Sequence, residues 1–402
     1  MIILGIIAAA VLFFILVFLG VLPGLRVRGP QVNLVFWGVT DEAGVFEQSF
    51  NEFKRINPEV SIEYRSFAPE RYEEKLIDAL AAGEGPDLFM FHSSWLPQHG
   101  NKIVPAPTNK VSVADVSRLF PRVVEQDFIW ENRVQALPLF VDTLALYYNR
   151  DIFDRRGVVF PPKTWLEFQR TVVNRGVSSA FGGVSTTMKS TDLLGLLFLQ
   201  SGAGLPSLAE RTISLANEAG LSALNFYTRF SAPEQQAIDA FSNQRIGIMF
   251  EYASAKPILK TKSPFLNFGV SEIPQFNLQE PIGFASYYGL AVAEVNTTGL
   301  ERERAWDLIV FLTTNELAAE SYLRASGRPP ALRSLINRYL NHPELGVFAR
   351  QALIARSVLN SDQEAVNQIF DRMIRAVRER TLAPLEALRR AESELSMVLN
   401  LR

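Results

Sequence analysis

Three apolar strands separated by two amphipathic helices set the main constraint on this chain. "VNLVFW" (32–37) reads as a buried strand. In "AGVFEQSFNEFKRINPEV", Phe46, Phe50 and Phe53 fall at i, i+4 and i+7, one helical stripe that Asn57-Pro58 ends. "VSIEYRSF" alternates as a second strand, "ERYEEKLIDALAAGEG" is a helix stopped by glycine, and "PDLFMFH" is a third strand. This βαβαβ order predicts a parallel sheet with helices on its faces. Ligands of such sheets bind beyond the C-terminal strand ends. Here those ends are Gly38 to Asp41 and His92 to Trp95.

Further strands are predicted at "RIGIMFEYAS", "LNFGVSEIPQF" and "IGFASYYGLAVAE". A helix is predicted after "PPK", with Thr164 as its cap and Glu167 three residues on. "RERAWDLIVFLTTNELAAESYLRAS" is helical until "GRPPAL" breaks it. In the tail, Val366, Ile369, Phe370, Met373, Ile374 and Val377 form a helical stripe, interrupted later by Pro384. The 402 residues suffice for two ordinary domains.

The formal net charge of −2 argues against a nucleic-acid partner. There is no cysteine, which removes disulfides, thiolate nucleophiles and cysteine metal sites. Three histidines, none paired at helical spacing, give no histidine metal site, and no cofactor fingerprint is present. Residues 1–25, "MIILGIIAAAVLFFILVFLGVLPGL", carry no charged side chain. As a helix they would span roughly 35 Å, enough to cross a bilayer core. They read as an uncleaved single-pass anchor, with cleavage as the weaker alternative. Arg26 and Arg28 follow it, so the positive-inside rule alone would leave the main domain in the cytoplasm.

Several separated segments resemble one family, the extracellular solute-binding proteins of ABC importers in the maltose-binding-protein-like group. "AGEGPDLFMF" resembles the family's Gly-x-x-Pro-Asp-hydrophobic strand. "NRDIFDRRGVVFPPKTWLEF" is similar to its Tyr-Asn-Lys-Asp-Leu-Phe…Pro-Pro-Thr-Trp-Glu segment. "AIDAFSNQRIGIMFE" resembles its Phe-x-x-Gly-x-x-Ala-Met stretch, with Gln244 and Gly247 in place of the usual Gly and Ala. "RERAWDLIVFLTTNE" and "LAPLEALRRAESEL" resemble two of its helices. The matches cover nearly all of 32–400, and their order carries the resemblance more than any one motif.

The resemblance implies a type II periplasmic-binding-protein-like α/β fold, two lobes with a hinge, behind the N-terminal transmembrane helix. The anchor is 1–25 and the linker 26–31. Lobe one is 32–140 and 290–326; lobe two is 142–283 and 332–402. The crossings fall near Leu139–Thr143, Gly283–Gly289 and Ser326–Ala331. The implied function is binding of a solute, a carbohydrate foremost, and its delivery to ABC permease subunits by lobe closure. The domain would lie on the extracytoplasmic side of the cell membrane, held in the bilayer by 1–25. A solute-sensing receptor subunit is the alternative, and a tethered glycoside hydrolase using Asp142 and Glu251 the more remote one.

A sugar site needs aromatic faces and planar acceptors for hydroxyls. Candidates after the first strand are Thr40 and Asp41, with a helix N-cap as the rival role for Asp41. After the third strand they are Ser94 and Trp95, with His92 as donor or structural residue. Asp142 sits in the first crossing, facing either ligand or a hinge hydrogen bond. Glu251 and Tyr252 follow "IGIMF". Tyr287 and Tyr288 lie on the second crossing, where strand alternation lets one of them face the cleft. Arg328 lies on the third crossing, as an interlobe or ligand contact or a surface salt bridge. Tyr147, Tyr148, Asn149 and Phe370 read as scaffold. No residue is assigned a catalytic role.

Overall fold

A computed structural model describes residues 13, 16, 30–180, 189–205, 212–230, 237–295, 297, 299–358 and 362–399. The anchor expected at 1–25 lies outside the described residues but for Phe13 and Leu16. Among the described residues, no helix is long and apolar enough to cross a membrane.

The first lobe is built on the expected βαβαβ unit. β1 (Val32–Val39) pairs in parallel with β2 (Val60–Phe67) and β3 (Leu88–His92). The helix Glu47–Ile56 buries Phe50 and Phe53, and Phe36 meets Phe46 edge-on at 5.4 Å. The helix Tyr72–Ala82 ends on Gly83, whose φ of 75° is the left-handed cap that glycine adopts without strain. β4 (Ile103–Val104), the hairpin of β5 (Ile129–Trp130) and β6 (Arg133–Val134), and β7 (Leu137–Pro138) follow. The parallel pattern stops at β3. Its outer neighbour is β13 (Tyr288–Ala293), running antiparallel to β3, β4 and β7. β13 arrives from the other lobe rather than through a local helical crossover, so its direction is free of the βαβ rule.

The second lobe carries β8 (Ala145–Asn149), β9 (Ser179–Ala180), β10 (Ile248–Glu251) and β11 (Phe268–Ser271), in the order β11-β8-β10-β9. Thr164 and Glu167 form the predicted capping box on the helix Trp165–Arg175. Asn149 caps the helix Arg150–Arg155 by accepting from Ile152 N at 2.9 Å. Tyr147 gives its hydroxyl to the Tyr252 carbonyl at 2.7 Å, a scaffold role. Val366, Ile369, Phe370, Met373 and Ile374 of the helix Gln363–Arg378 are buried in this lobe's core.

The lobes meet where the chain crosses between them. Phe140 bridges to Pro330, and Thr143 to Ala285, so the crossings are hydrogen-bonded side by side. β12 (Gly283–Phe284) pairs with β14 (Ala355–Arg356) beside them. Leu332, Leu335 and Ile336, placed in the second lobe by the resemblance, pack in the first core. Leu345 and Phe348 then join Ala145 and Tyr147 in a separate cluster of the second lobe.

Of the two departures from the family pattern, Gly247 has a packing explanation and Gln244 has none. At Gly247, an added Cβ would lie 2.6 Å from Val177 Cγ1 and 2.9 Å from Ile152 Cγ2. Alanine does not fit unless β10 moves. Gln244 holds a φ of 55°, where glycine is the unstrained residue. Gly247→Ala should therefore destabilise the domain by about 1–3 kcal/mol through overpacking. Urea unfolding checks this, and an unchanged midpoint would refute the packing account.

Candidate functional site

The turn after β1 is strained and tightly held. Thr40 has a φ of 70°, which a β-branched residue adopts only under constraint. The Asp41 amide donates back to the Val39 carbonyl at 2.8 Å, closing a three-residue turn around Thr40. The Thr40 amide donates to Phe67 of β2 at 2.9 Å. Tyr64 gives its hydroxyl to the Asp41 carbonyl at 2.7 Å. It fits there because residue 38 is glycine; an added Cβ would lie 2.1 Å from the Tyr64 hydroxyl.

The turn aims the Asp41 carboxylate at the third crossing. Tyr322 donates to one oxygen at 2.7 Å, and Arg328 to the other through Nη2 at 3.1 Å and Nε at 3.3 Å. The guanidinium also lies over the Phe140 ring, 4.5 Å from its centroid. Asp41 is thus no helix cap; Glu42 precedes the next turn, and its side chain makes no capping bond. Arg328 is an internal partner rather than a surface salt bridge. Thr40 remains exposed.

At the end of β3, Trp95 takes a different place from the one its position suggested. It is buried against Tyr72, with ring centroids 6.0 Å apart and an interplanar angle of 20°, and meets Phe91 and Tyr288 edge-on. The chain turns directly into the helix Leu96–His99, which folds the indole back into the core. Ser94 stays on the cleft side. Its hydroxyl lies 2.8 Å from His92 Nδ1, while His92 Nε2 lies 3.0 Å from the Ser286 hydroxyl on the second crossing.

Asp142 resolves toward the hinge role. One oxygen accepts from the Thr143 and Ala253 amides at 2.9 and 2.8 Å, the other from the Ser254 amide at 3.4 Å. Burial pushes its pKa up to about 6, against the pull of those amides and of Arg328. Glu251 is fully buried in β10, with one oxygen accepting from the Tyr252 amide at 3.3 Å. Tyr252 is also buried, and its hydroxyl donates to Asp192 at 3.0 Å. Its ring therefore packs in the second core instead of offering a face. Of the tyrosines on the second crossing, Tyr287 points into lobe one and donates to Asp127 at 2.8 Å. Tyr288 keeps partial exposure, edge-on to His92 at 4.9 Å.

A narrow pocket of about 60 Å³ lies between the lobes. The end of β3 and the second crossing form one wall, through His92, Ser94 and Ser286. The helices Ser190–Ser201 and Gln363–Arg378 form the other, through Thr191, Asp192 and Gln363. Of the predicted residues, Ser94 lines this pocket, together with His92. Phe370, read as core, is buried and also lines it. Thr191, Asp192, Ser286 and Gln363 escaped the sequence reading. Asp192 is the acid in the first turn of its helix, where negative charge is favoured. No comparable signal marks the others. Among the described residues, no group of acids and histidines could hold a metal ion.

Beside this pocket, Asp127 is buried and accepts from Tyr287 and Ser357. Burial raises its pKa from 3.8 to about 7, against those two hydrogen bonds. Between these values the folded chain holds a proton that the unfolded chain releases. The stability this contributes is full below pH 3.8 and is lost as pH rises through about 7. Asp127→Asn removes the titration and keeps an acceptor oxygen for one of the two hydroxyls, a loss that is the same at every pH. The variant should gain about 2–3 kcal/mol on the parent between pH 5 and pH 8, read by urea unfolding at both pH values. Equal stability differences at the two pH values would refute this.

Comparisons with known proteins follow the same architecture. The chain matches the bacterial extracellular solute-binding protein family over residues 48–344. It is similar to the galactooligosaccharide-binding protein of Bacillus subtilis, 21% identical over 76% of this chain and 74% of that one. Among solved structures it resembles an ABC transporter solute-binding protein of Thermotoga lettingae bound with α-D-tagatose. The TM-score is 0.74 and the identity 18%, over 92% of this chain and 100% of that one. It also resembles UgpB from Mycobacterium tuberculosis in complex with glycerophosphocholine, with a TM-score of 0.74 and 17% identity over 92% and 98% of the two chains. The chain belongs to the bacterial extracellular solute-binding proteins, a family of binders rather than catalysts.

Proposed function

We propose that this protein captures a carbohydrate between its lobes and hands it to an ABC importer, held at the extracytoplasmic face of the membrane by residues 1–25. The observation that carries this reading is the interlobe pocket. Hydroxyl, amide and carboxylate side chains from both lobes converge on it beside hydrogen-bonded crossings. Such a wall meets the need of a sugar, whose buried hydroxyls must all find partners. The sugar ligands named for the Bacillus and Thermotoga relatives support the same class.

Ser94 is the proposed lobe-one contact, and Thr40 and Tyr288 are proposed to reach solute from the exposed rim. Asp41, Asp142 and Arg328 act as positioning groups, because their polar atoms are engaged within the protein. Trp95, Glu251, Tyr252 and Tyr287 support the walls from behind. The hydrolase alternative loses its support. The Asp142 oxygens accept from backbone amides, and Glu251 has no exposed surface.

Solute drives closure only through its higher affinity for the closed state. A sugar at a hundred times its Kd should stabilise the protein by about 2.7 kcal/mol. The test is a melting screen with maltose, galactooligosaccharides and glucose, followed by X-ray scattering. The expected result is a raised Tm with one sugar and a smaller radius of gyration in its presence. Sugar returned hydrolysed, or no Tm rise with any sugar, would sink the reading. For the anchor, deletion of 1–25 should move the protein from the membrane to the soluble fraction, and continued membrane association would refute tethering by that segment.

A further inference from the structure

The pocket wall has a hydrogen-bond polarity that its residue types alone do not reveal. The Ser94 backbone amide donates to His92 Nδ1 at 3.3 Å. A backbone amide cannot accept, so this nitrogen carries no proton. The Ser94 hydroxyl, 2.8 Å from the same nitrogen, must then point its hydrogen at it. The ring proton sits on Nε2 and goes to the Ser286 hydroxyl at 3.0 Å. Burial keeps the ring neutral by lowering its pKa to about 4. Ser286 has its own hydrogen to give, and the Tyr252 phenol lies beside it. Tyr252 donates to Asp192 at 3.0 Å. The bonds run in one direction, from lobe one through the second crossing to lobe two.

The facing wall is oriented in the same sense. Thr191 gives its hydroxyl to the Asn367 carbonyl oxygen at 2.7 Å, and the Gln363 amide nitrogen donates to that oxygen at 3.2 Å. The Gln363 carbonyl is thereby turned toward Ser94, 3.5 Å away. The hydroxyl hydrogens of Ser94 and Thr191 and one amide hydrogen of Gln363 are engaged within the protein. The polar groups left to face the pocket are mainly acceptors, the oxygens of Ser94, Thr191 and Gln363 and the Asp192 carboxylate, beside the Ser93 hydroxyl and apolar side chains that include Phe284, Val366 and Phe370. Among the described lining residues there is no lysine or arginine.

We propose that this cleft selects solutes that donate hydrogen bonds and carry no negative charge, hydroxyl-rich sugars or polyols, and turns away their phosphorylated forms, with His92 as the positioning residue that sets the polarity. This rests on the carbohydrate reading above and narrows it. A phosphate would bring its charge against Asp192 and its acceptors against the oxygens of Ser94, Thr191 and Gln363; Lys189, whose charge acts on Asp192, is exposed and does not line the pocket. The fold does not decide the matter, since a structural neighbour with the same fold is named for a phosphodiester.

Two measurements on the full chain in detergent micelles test this. Nitrogen-15 NMR of His92 should show the Nε2–H tautomer, unchanged from pH 5 to pH 8. An Nδ1–H tautomer, or an imidazolium in that range, overturns the polarity. Calorimetry then compares glucose with glucose 6-phosphate, maltose with maltose 6-phosphate, and glycerol with glycerol 3-phosphate. The neutral member of any pair that binds should be favoured by about tenfold or more. Asp192→Asn, which places an amide donor on the wall, should narrow that gap. His92→Gln should keep more of the affinity than His92→Phe, because glutamine offers an acceptor and a donor. Phosphorylated members binding equally or more tightly overturn the inference while leaving solute binding intact. Failure of every probe to bind counts against the carbohydrate reading, and the NMR result still decides the polarity.

Discussion

The ion pair between Arg328 and Asp41 organises the centre of the molecule. A guanidinium in this position is costly unless its charge is met, and here it is met by a carboxylate and an aromatic face. The two groups come from the third crossing and the end of β1, and Phe140 beneath comes from the first crossing. Such a pair adds little net stability over an apolar replacement, because desolvation offsets most of the attraction. Its consequence is geometric. It fixes where the third crossing lies against β1, and with it the register of the bridges Phe140–Pro330 and Thr143–Ala285. The strained turn at Thr40 belongs to the same arrangement, because only that turn brings the Asp41 carboxylate onto Arg328 and Tyr322.

Features that depend on neighbours in sequence were legible. The capping box of Thr164 and Glu167, the glycine stop at 83 and the stripe from Val366 to Ile374 all stand where spacing put them. Each is decided within one or two helical turns. Features decided by distant partners were not. β13 joins the first sheet antiparallel, having left the second lobe, and nothing in "YYGLAVA" records that direction. Asp142 meets amides 111 and 112 residues away, so its sequence could name only the two possible roles.

The aromatic candidates illustrate a second limit. Tryptophan and tyrosine at strand ends have the capacity to stack on a sugar, but residue type does not reveal which way a ring points. Trp95 and Tyr252 were singled out by position, and both turned inward because well-packed partners were available, Tyr72 for one and the Asp192 carboxylate for the other. Among the residues that do line the pocket, beside apolar ones such as Phe284 and Val366, are serine, threonine and glutamine, which occur anywhere on a surface. Their meaning comes from hydrogen-bond direction, and direction appears only once a backbone amide has fixed the state of His92.

That direction bears on how closure couples to solute. Ser94 and Gln363 face each other across the cleft with oxygens 3.5 Å apart. A hydroxyl has one hydrogen, and the shorter contact to His92 takes it. On that polarity the two facing oxygens are both acceptors, and bringing them together without a third group is unfavourable. A solute hydroxyl placed between the walls supplies the missing hydrogen and turns the mismatch into attraction. Gln126 also donates to the Ser357 carbonyl, at 2.9 Å, and this bond needs no hydrogen from a solute. Under the proposed function, the acceptor pair is therefore where a hydroxylated ligand would favour the closed state over the open one, which is the condition any ligand-driven closure must meet.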